Sequence, residues 1–314
     1  MRVALPLFAT FALLGAGLAT AWSEAAPPAA PAVSPTAPTA PTALPRPLLW
    51  KVSDGNNSLY LLGSFHALKP GDYPLAPAVD AAFADSEAVA FEVAPEELEA
   101  PELAMSMLRA GSYADGHTLQ QSVDARTWQR LEAYAKRRNK DPRFYQRFEP
   151  WFASLLISLE EFQRLGYDPK QGLDRHMAAL AAASHKHTLG LETAQSQVDL
   201  FDQMTIAEQR QSLAEALDDA EDLQRHIEEL HSLWRSGDEP ALRRLLTGDF
   251  QREYPALYQR IDVDRNKAWV GELAVMLDGG STDDTLVVVG AMHLLGPDGL
   301  VSLLKARGYR VERL

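Results

Sequence analysis

Two histidines of this chain stand in the same local frame. Ser58-Leu-Tyr-Leu-Leu-Gly-Ser-Phe-His66 and Thr285-Leu-Val-Val-Val-Gly-Ala-Met-His293 each run an apolar, β-prone segment into a glycine and present a histidine three residues later. One Gly-x-x-His alone reads as a half-buried residue at a strand end. Its repetition points instead to a shared site, because ligands of open α/β sheets bind in the crevice beyond the carboxyl ends of the strands. Each glycine allows an unusual backbone angle or a close approach where the strand exits. Two glutamates sit in comparable places. Glu92 lies inside the apolar run Ala88-Val-Ala-Phe-Glu-Val93, and Glu192 closes His187-Thr-Leu-Gly-Leu-Glu192. A carboxylate in an apolar strand is costly to bury unpaired, so Glu92 either faces outward near the strand end or belongs to a site. Imidazoles with carboxylates suit a first-row divalent ion such as Mn²⁺, Co²⁺ or Zn²⁺.

Other chemistry is missing or weakly signalled. There is no cysteine, and therefore no disulfide framework, thiol nucleophile or lipoprotein acylation site. Neither a Gly-x-Ser-x-Gly elbow nor a phosphate-binding glycine loop occurs. His226 and His231 are five apart in an acidic stretch, do not form His-Glu-x-x-His, and read as a solvated helix face.

The elements that would position these groups alternate between strand and helix. Leu48–Val52 and Ser58–Leu62 flank the turn residues Asp54-Gly-Asn-Asn57, which predicts a hairpin. A helix is expected over 76–85 and strands at 88–93, 187–192, 285–290 and 309–314, with a helix over 299–307 between the last two. From Pro101 to about Leu277 the pattern is mainly helical, with segments at 101–110, 124–138, 150–165, 174–184, 205–236, 239–246, 250–261 and 263–277. The longest opens on a capping box, Thr205-Ile-Ala-Glu208, and carries Ile206, Leu213, Leu217, Leu223, Ile227, Leu230 and Trp234 at helical spacing. This alternation predicts a mixed α/β (α+β) sheet core, with the helical block of about 101–277 inserted over the strand ends.

Residues 1–21 read as an export signal: Arg2, an apolar run from Val3 to Leu18, and the small-x-small site Ala19-Thr-Ala21. An uncleaved anchor is the alternative, although the run is short for a membrane span. Residues 22–47 form a Pro/Ala/Thr-rich tether, and one folded domain is expected over 48–314. The expected location is periplasmic, with no membrane span in the mature chain. The formal charge of −13 argues against nucleic acid or an anionic membrane as partner, whereas carboxylates are welcome beside a divalent ion.

Taken together, Leu49-Trp-Lys, Gly63-Ser-Phe-His66, Tyr73-Pro-Leu75, Phe91-Glu92, Gly172-Leu-Asp174, Gly190-Leu-Glu-Thr193 with Gln197, Asp264-Arg-Asn266, Gly290-Ala-Met-His-Leu-Leu-Gly296, Gly299-Leu300 and Gly308-Tyr309 resemble the TraB/GumN family, which includes the Tiki proteases. Position 64 is Ser where the family usually has Thr, which keeps the hydroxyl. The resemblance implies an erythromycin-esterase/ChaN-like fold and a metal-dependent protease whose site is formed by His66, His293 and Glu92, with Glu192 as the second carboxylate. On that footing His66 and His293 are metal ligands, while Glu92 and Glu192 divide the roles of ligand and general base. Arg265 can hold a carboxylate or stabilise an oxyanion. Together with Asn266 it can equally form a structural ion pair at a helix start. The expected partner is a peptide or small-molecule substrate. The rival reading is a non-catalytic protein that binds haem, metal or a small ligand in the same pocket.

Overall fold

The computed structural model of the chain describes residues 43–217 and 220–314. The expected export signal, residues 1–21, and most of the expected tether, residues 22–47, lie outside the described residues. A six-stranded mixed sheet in the order β4-β3-β5-β2-β1-β6 forms the frame, built from β1 (Leu49–Ser53), β2 (Ser58–Ser64), β3 (Ala88–Val93), β4 (His187–Glu192), β5 (Thr285–Gly290) and β6 (Arg310–Arg313). The hairpin between β1 and β2 closes on Asp54, whose carboxylate accepts from the backbone N–H groups of Asn56 and Asn57, the side-chain turn that Asp favours.

The order of the strands decides where the chemistry goes. β2, β5, β3 and β4 run parallel, and β5 lies between β2 and β3 although it comes almost two hundred residues after them. Ser64 therefore pairs with Gly290, and Val93 with Glu192. Four strand ends bearing site residues share one edge of the sheet. β2 and β5 are buried at every position, as expected of Leu/Val-rich parallel strands covered on both faces.

Seven helices bear on the site: α1 (Pro77–Asp85), α2 (Pro150–Arg164), α3 (Leu173–Ala183), α4 (Ala194–Asp202), α5 (Ala220–Ser236), α6 (Asp264–Asp278) and α7 (Leu300–Ala306). Val79 of α1, Met177 of α3, Trp234 of α5, Leu273 of α6 and Leu304 of α7 pack with the strands in one core. A second core, with Trp151, Phe152, Phe201, Ile227 and Ile261, gathers around Ala67, Val93 and Met292 just past the strand ends. A third lies farther out, around Trp128, Tyr145, Ile157 and Leu213. α2 contributes to both outer cores, so its apolar surface extends around most of the helix.

The helical block departs from expectation in three places. The helix expected over 205–236 is two helices, Ile206–Ala216 and α5, and the capping box at Thr205 is present. Their apolar faces serve different cores: Leu213 and Leu217 the outermost, Leu223 to Trp234 the inner two. The 250–261 segment divides at Pro255, as proline requires, and runs into a π-helical turn, Gln259–Val263, ahead of α6. α4 is a further helix, capped by Thr193. No helix among the described residues is long and apolar enough to cross a membrane.

Candidate functional site

His66 follows β2, His293 sits in the 3-10 turn Ala291–Leu294 after β5, Glu92 is in β3 and Glu192 ends β4. The structure gathers them. Glu92, only 3 % exposed, turns Oε1 toward both imidazoles, 3.9 Å from His66 Nε2 and 3.8 Å from His293 Nε2. The same oxygen accepts from the Gly290 N–H at 2.7 Å. Of the two settings considered for Glu92, the inward one is found.

The glycines are required by space rather than by backbone angle. Gly290 has φ −50°, but a Cβ there would lie 3.2 Å from both Glu92 Oε1 and His66 Nε2. One at Gly63 would meet Leu48 and Ala291 at 3.1–3.3 Å. One at Gly172 would lie 2.3 Å from the His66 carbonyl oxygen. Gly290→Ala should therefore destabilise the protein by about 1–3 kcal/mol through overpacking. Gly271→Ala, within α6 with nothing inside 4 Å, should stabilise it by about 0.5–1 kcal/mol. Denaturant unfolding of the two variants checks the contrast, and equal effects would refute the close-approach argument.

Both imidazoles are fixed from behind. Asp174, in the first turn of α3, places Oδ1 3.0 Å from His66 Nδ1 and accepts from Ser64 Oγ at 2.9 Å, which uses the hydroxyl at position 64. His293 Nδ1 lies 2.8 Å from Asn266 Oδ1 and 3.0 Å from Asp262 Oδ1. Asn266 Nδ2 donates to Asp262 Oδ1 and to the Asp298 carbonyl. Acceptors at each Nδ1 favour the Nδ1–H tautomer of both rings, which leaves each Nε2 an acceptor, that of His293 for Arg265 Nη1. A ligating histidine needs this kind of support. His66 Nε2 is buried and has no hydrogen-bond partner among the described residues. Burial pulls the His66 pKa down, but the charge and hydrogen bond of Asp174, with help from Glu92, raise it overall.

Arg265, from the first turn of α6, ties the carboxylates together. Its Nη2 donates to Glu92 Oε2 at 2.5 Å and to Glu192 Oε1 at 2.6 Å, and its Nε reaches Glu192 Oε2 at 3.1 Å. Nη1 donates to His293 Nε2 at 2.9 Å, and the guanidinium lies over the Trp269 ring. Gln197 of α4 bridges the same two glutamates, at 3.1 and 2.6 Å. Burial would push the Glu92 carboxyl up. Arg265, with His293, His66 and the Gly290 N–H, overrides this and holds it at about 2.

The charges do not balance. Glu92, Glu192, Asp174 and Asp262 bring four carboxylates, while Arg265 and, across a small cavity, Arg175 bring two guanidiniums, so with both imidazoles neutral two formal negative charges remain in excess. Among the described residues no three His, Asp or Glu side chains are gathered as tightly as a bound ion gathers them. The separations from Glu92 Oε1, 3.8 and 3.9 Å, exceed the roughly 3.4 Å between two tetrahedral ligands on bonds of about 2.1 Å, so the three groups would have to draw together by about 0.5 Å around an ion. The unpartnered His66 Nε2 and the space above Gly290 are where such an ion fits.

Several participants carry sequence signals that had no role attached. Asp174 and Gln197 were visible only as parts of matching motifs. Asp262 went unnoticed, although Asp262, Arg265 and Asn266 follow the i, i+3, i+4 spacing of one helix face. His231 corrects the expectation of a solvated face: it is half-buried, with Nε2 2.8 Å from Asp72 Oδ2 and its ring edge-on to Tyr167. The polar partner comes from the loop before α1, far away in sequence.

Comparison with known proteins gives a consistent picture. The profile of the TraB/PrgY/gumN family matches residues 48–313. The uncharacterized protein YbaP of Escherichia coli (strain K12) is 23% identical over 255 residues, covering 80% of this chain and 89% of that protein. The protein of the same name from Shigella flexneri matches with the same identity and coverage. No solved structure gives a significant match.

Proposed function

The chain belongs to the TraB/PrgY/gumN family, and on that premise we propose that it is an exported, metal-dependent hydrolase, most simply a peptidase, working in the periplasm. The observation that carries this reading is the excess of buried negative charge around a His66 Nε2 that has no partner. Such a cluster favours a cation.

His66 and His293 would hold a divalent ion through Nε2, with His293 giving up its hydrogen bond from Arg265, and Glu92 through Oε1. The ion supplies Lewis acidity, polarising a carbonyl and making water nucleophilic near neutral pH. Asp174, and Asp262 with Asn266, keep the two rings in the required tautomer and orientation. Glu192 stands at the strand end beside Glu92 and is the group to take a proton from water and return it to the leaving amine. Arg265 and Gln197 hold the two glutamates apart and in place.

The test is metal analysis of the dialysed protein beside His66→Ala and His293→Ala, together with cleavage of a mixed peptide library. Loss of a ligand should weaken metal binding by roughly 10-fold or more. Equal metal content in all three proteins would remove the ligand assignment.

A further inference from the structure

We infer that Arg175 anchors the terminal carboxylate of the substrate, so that the site acts on peptides ending in a small aliphatic residue; this rests on the hydrolase reading above. Two cavities meet at His66. One is apolar, lined by Phe65, Phe162, Leu230, Trp234, Leu242 and Met292, and reaches His293. The other, about 20 Å³, lies between Glu92, Pro95, Leu98, Asp174 and Arg175. It has room for a polar group little larger than a water molecule.

Arg175 is the cation of the smaller cavity, and its bonding is incomplete. Its Nη2 is buried with no hydrogen-bond partner. Its ion pair with Glu99 spans 3.8 Å, too long for a hydrogen bond, and the Glu99 side chain is 73% exposed. The neighbouring Asp174 directs Oδ1 to Ser64 and His66 and makes no hydrogen bond to Arg175. A buried guanidinium donor without an acceptor is uncommon in a folded protein. Its planar fork matches a carboxylate held through two hydrogen bonds.

A terminal residue with its carboxylate on Arg175 and its side chain in the apolar cavity would straddle His66. The preceding carbonyl would then lie at Glu92 and the imidazoles. Hydrolysis there adds water across the last peptide bond: the acyl carbon gains OH, the C–N bond breaks, and the leaving nitrogen gains H as the free amino acid departs.

The probes are N-acetylleucine and N-acetylleucinamide, which differ only in the carboxylate. Titration calorimetry on the full chain should show the acid binding roughly 10-fold or more tighter than the amide. Arg175→Met should bind both alike, the acid losing its advantage, and the binding that remains reports an intact apolar cavity. Arg175→Lys, which keeps the charge without the fork, should fall between them. No preference in the wild type, a preference that survives Arg175→Met, or binding of neither probe would each overturn the assignment. Acid preference in a protein that neither holds metal nor cleaves peptides would sink the hydrolase reading and leave the anchor. Metal-dependent cleavage of free and amidated peptides at equal rates would do the reverse.

Discussion

Arg265→Met is expected to destabilise the protein by about 3–5 kcal/mol at neutral pH, the usual cost of removing one partner from a buried ion pair. Methionine retains much of the apolar stem and removes the guanidinium together with its stacking over Trp269. Glu92 and Glu192 would be left beside each other with only Gln197 as a common donor. The pH dependence identifies the source. In the wild type the folded Glu92 carboxyl, near 2, is below its ordinary value of 4.5. Its contribution is therefore complete above about 4.5 and is lost as pH falls toward 2. Without Arg265 the principal opposing charge is gone and burial raises the carboxyl, so the variant folds more readily once that group is protonated. The deficit should be largest at neutral pH and shrink below about pH 4.5. Urea unfolding at pH 7 and pH 4 measures it; an equal deficit at both would place the damage elsewhere. Arg265→Lys should restore only part, because an ammonium cannot span both glutamates and His293.

That arrangement also explains which parts of the site could be read from the sequence. Strand ends were legible because a Leu/Val run stopped by glycine has a physical meaning at short range: His66 and His293 carry that mark, Glu192 follows Gly190, and Glu92 stands out as a carboxylate inside an apolar run. Their common edge depends on β5 entering between β2 and β3, and strand order is a long-range property that local patterns do not encode. Arg265 was visible as a chemical possibility but not as the link between two glutamates, since its helix and β4 meet only in the folded chain. The alternative of an ion pair at a helix start captured the pairing and missed the backbone, because α6 continues from the π turn 259–263. Such turns are frequent at functional sites. The division between the 206–216 helix and α5 was hidden for a related reason: one helical period can serve two cores, and the sequence does not say where the cores part.

Glu92 and Glu192 should separate under the same substitution. A carboxyl held near 2 is a weak proton acceptor at neutral pH. Its Oε1 faces both imidazole Nε2 atoms. That is the disposition of a ligand. Glu192 is less enclosed, with a side chain 12% exposed against 4% for Glu92, and lies one strand farther from the histidines. Glu92→Gln is accordingly expected to lose metal and activity together. Glu192→Gln should retain metal while kcat falls by about 10²–10⁴-fold, the usual effect of removing a general base. KM should change little, as for an interaction made chiefly in the transition state. Metal content and steady-state peptide cleavage measured on both variants decide the matter. Full activity in Glu192→Gln would remove it from the chemistry. If Glu92→Gln also kept its metal while becoming inactive, the two glutamates would exchange roles: Glu92 would be the base despite its low pKa, and the ion would rest on the histidines with Glu192.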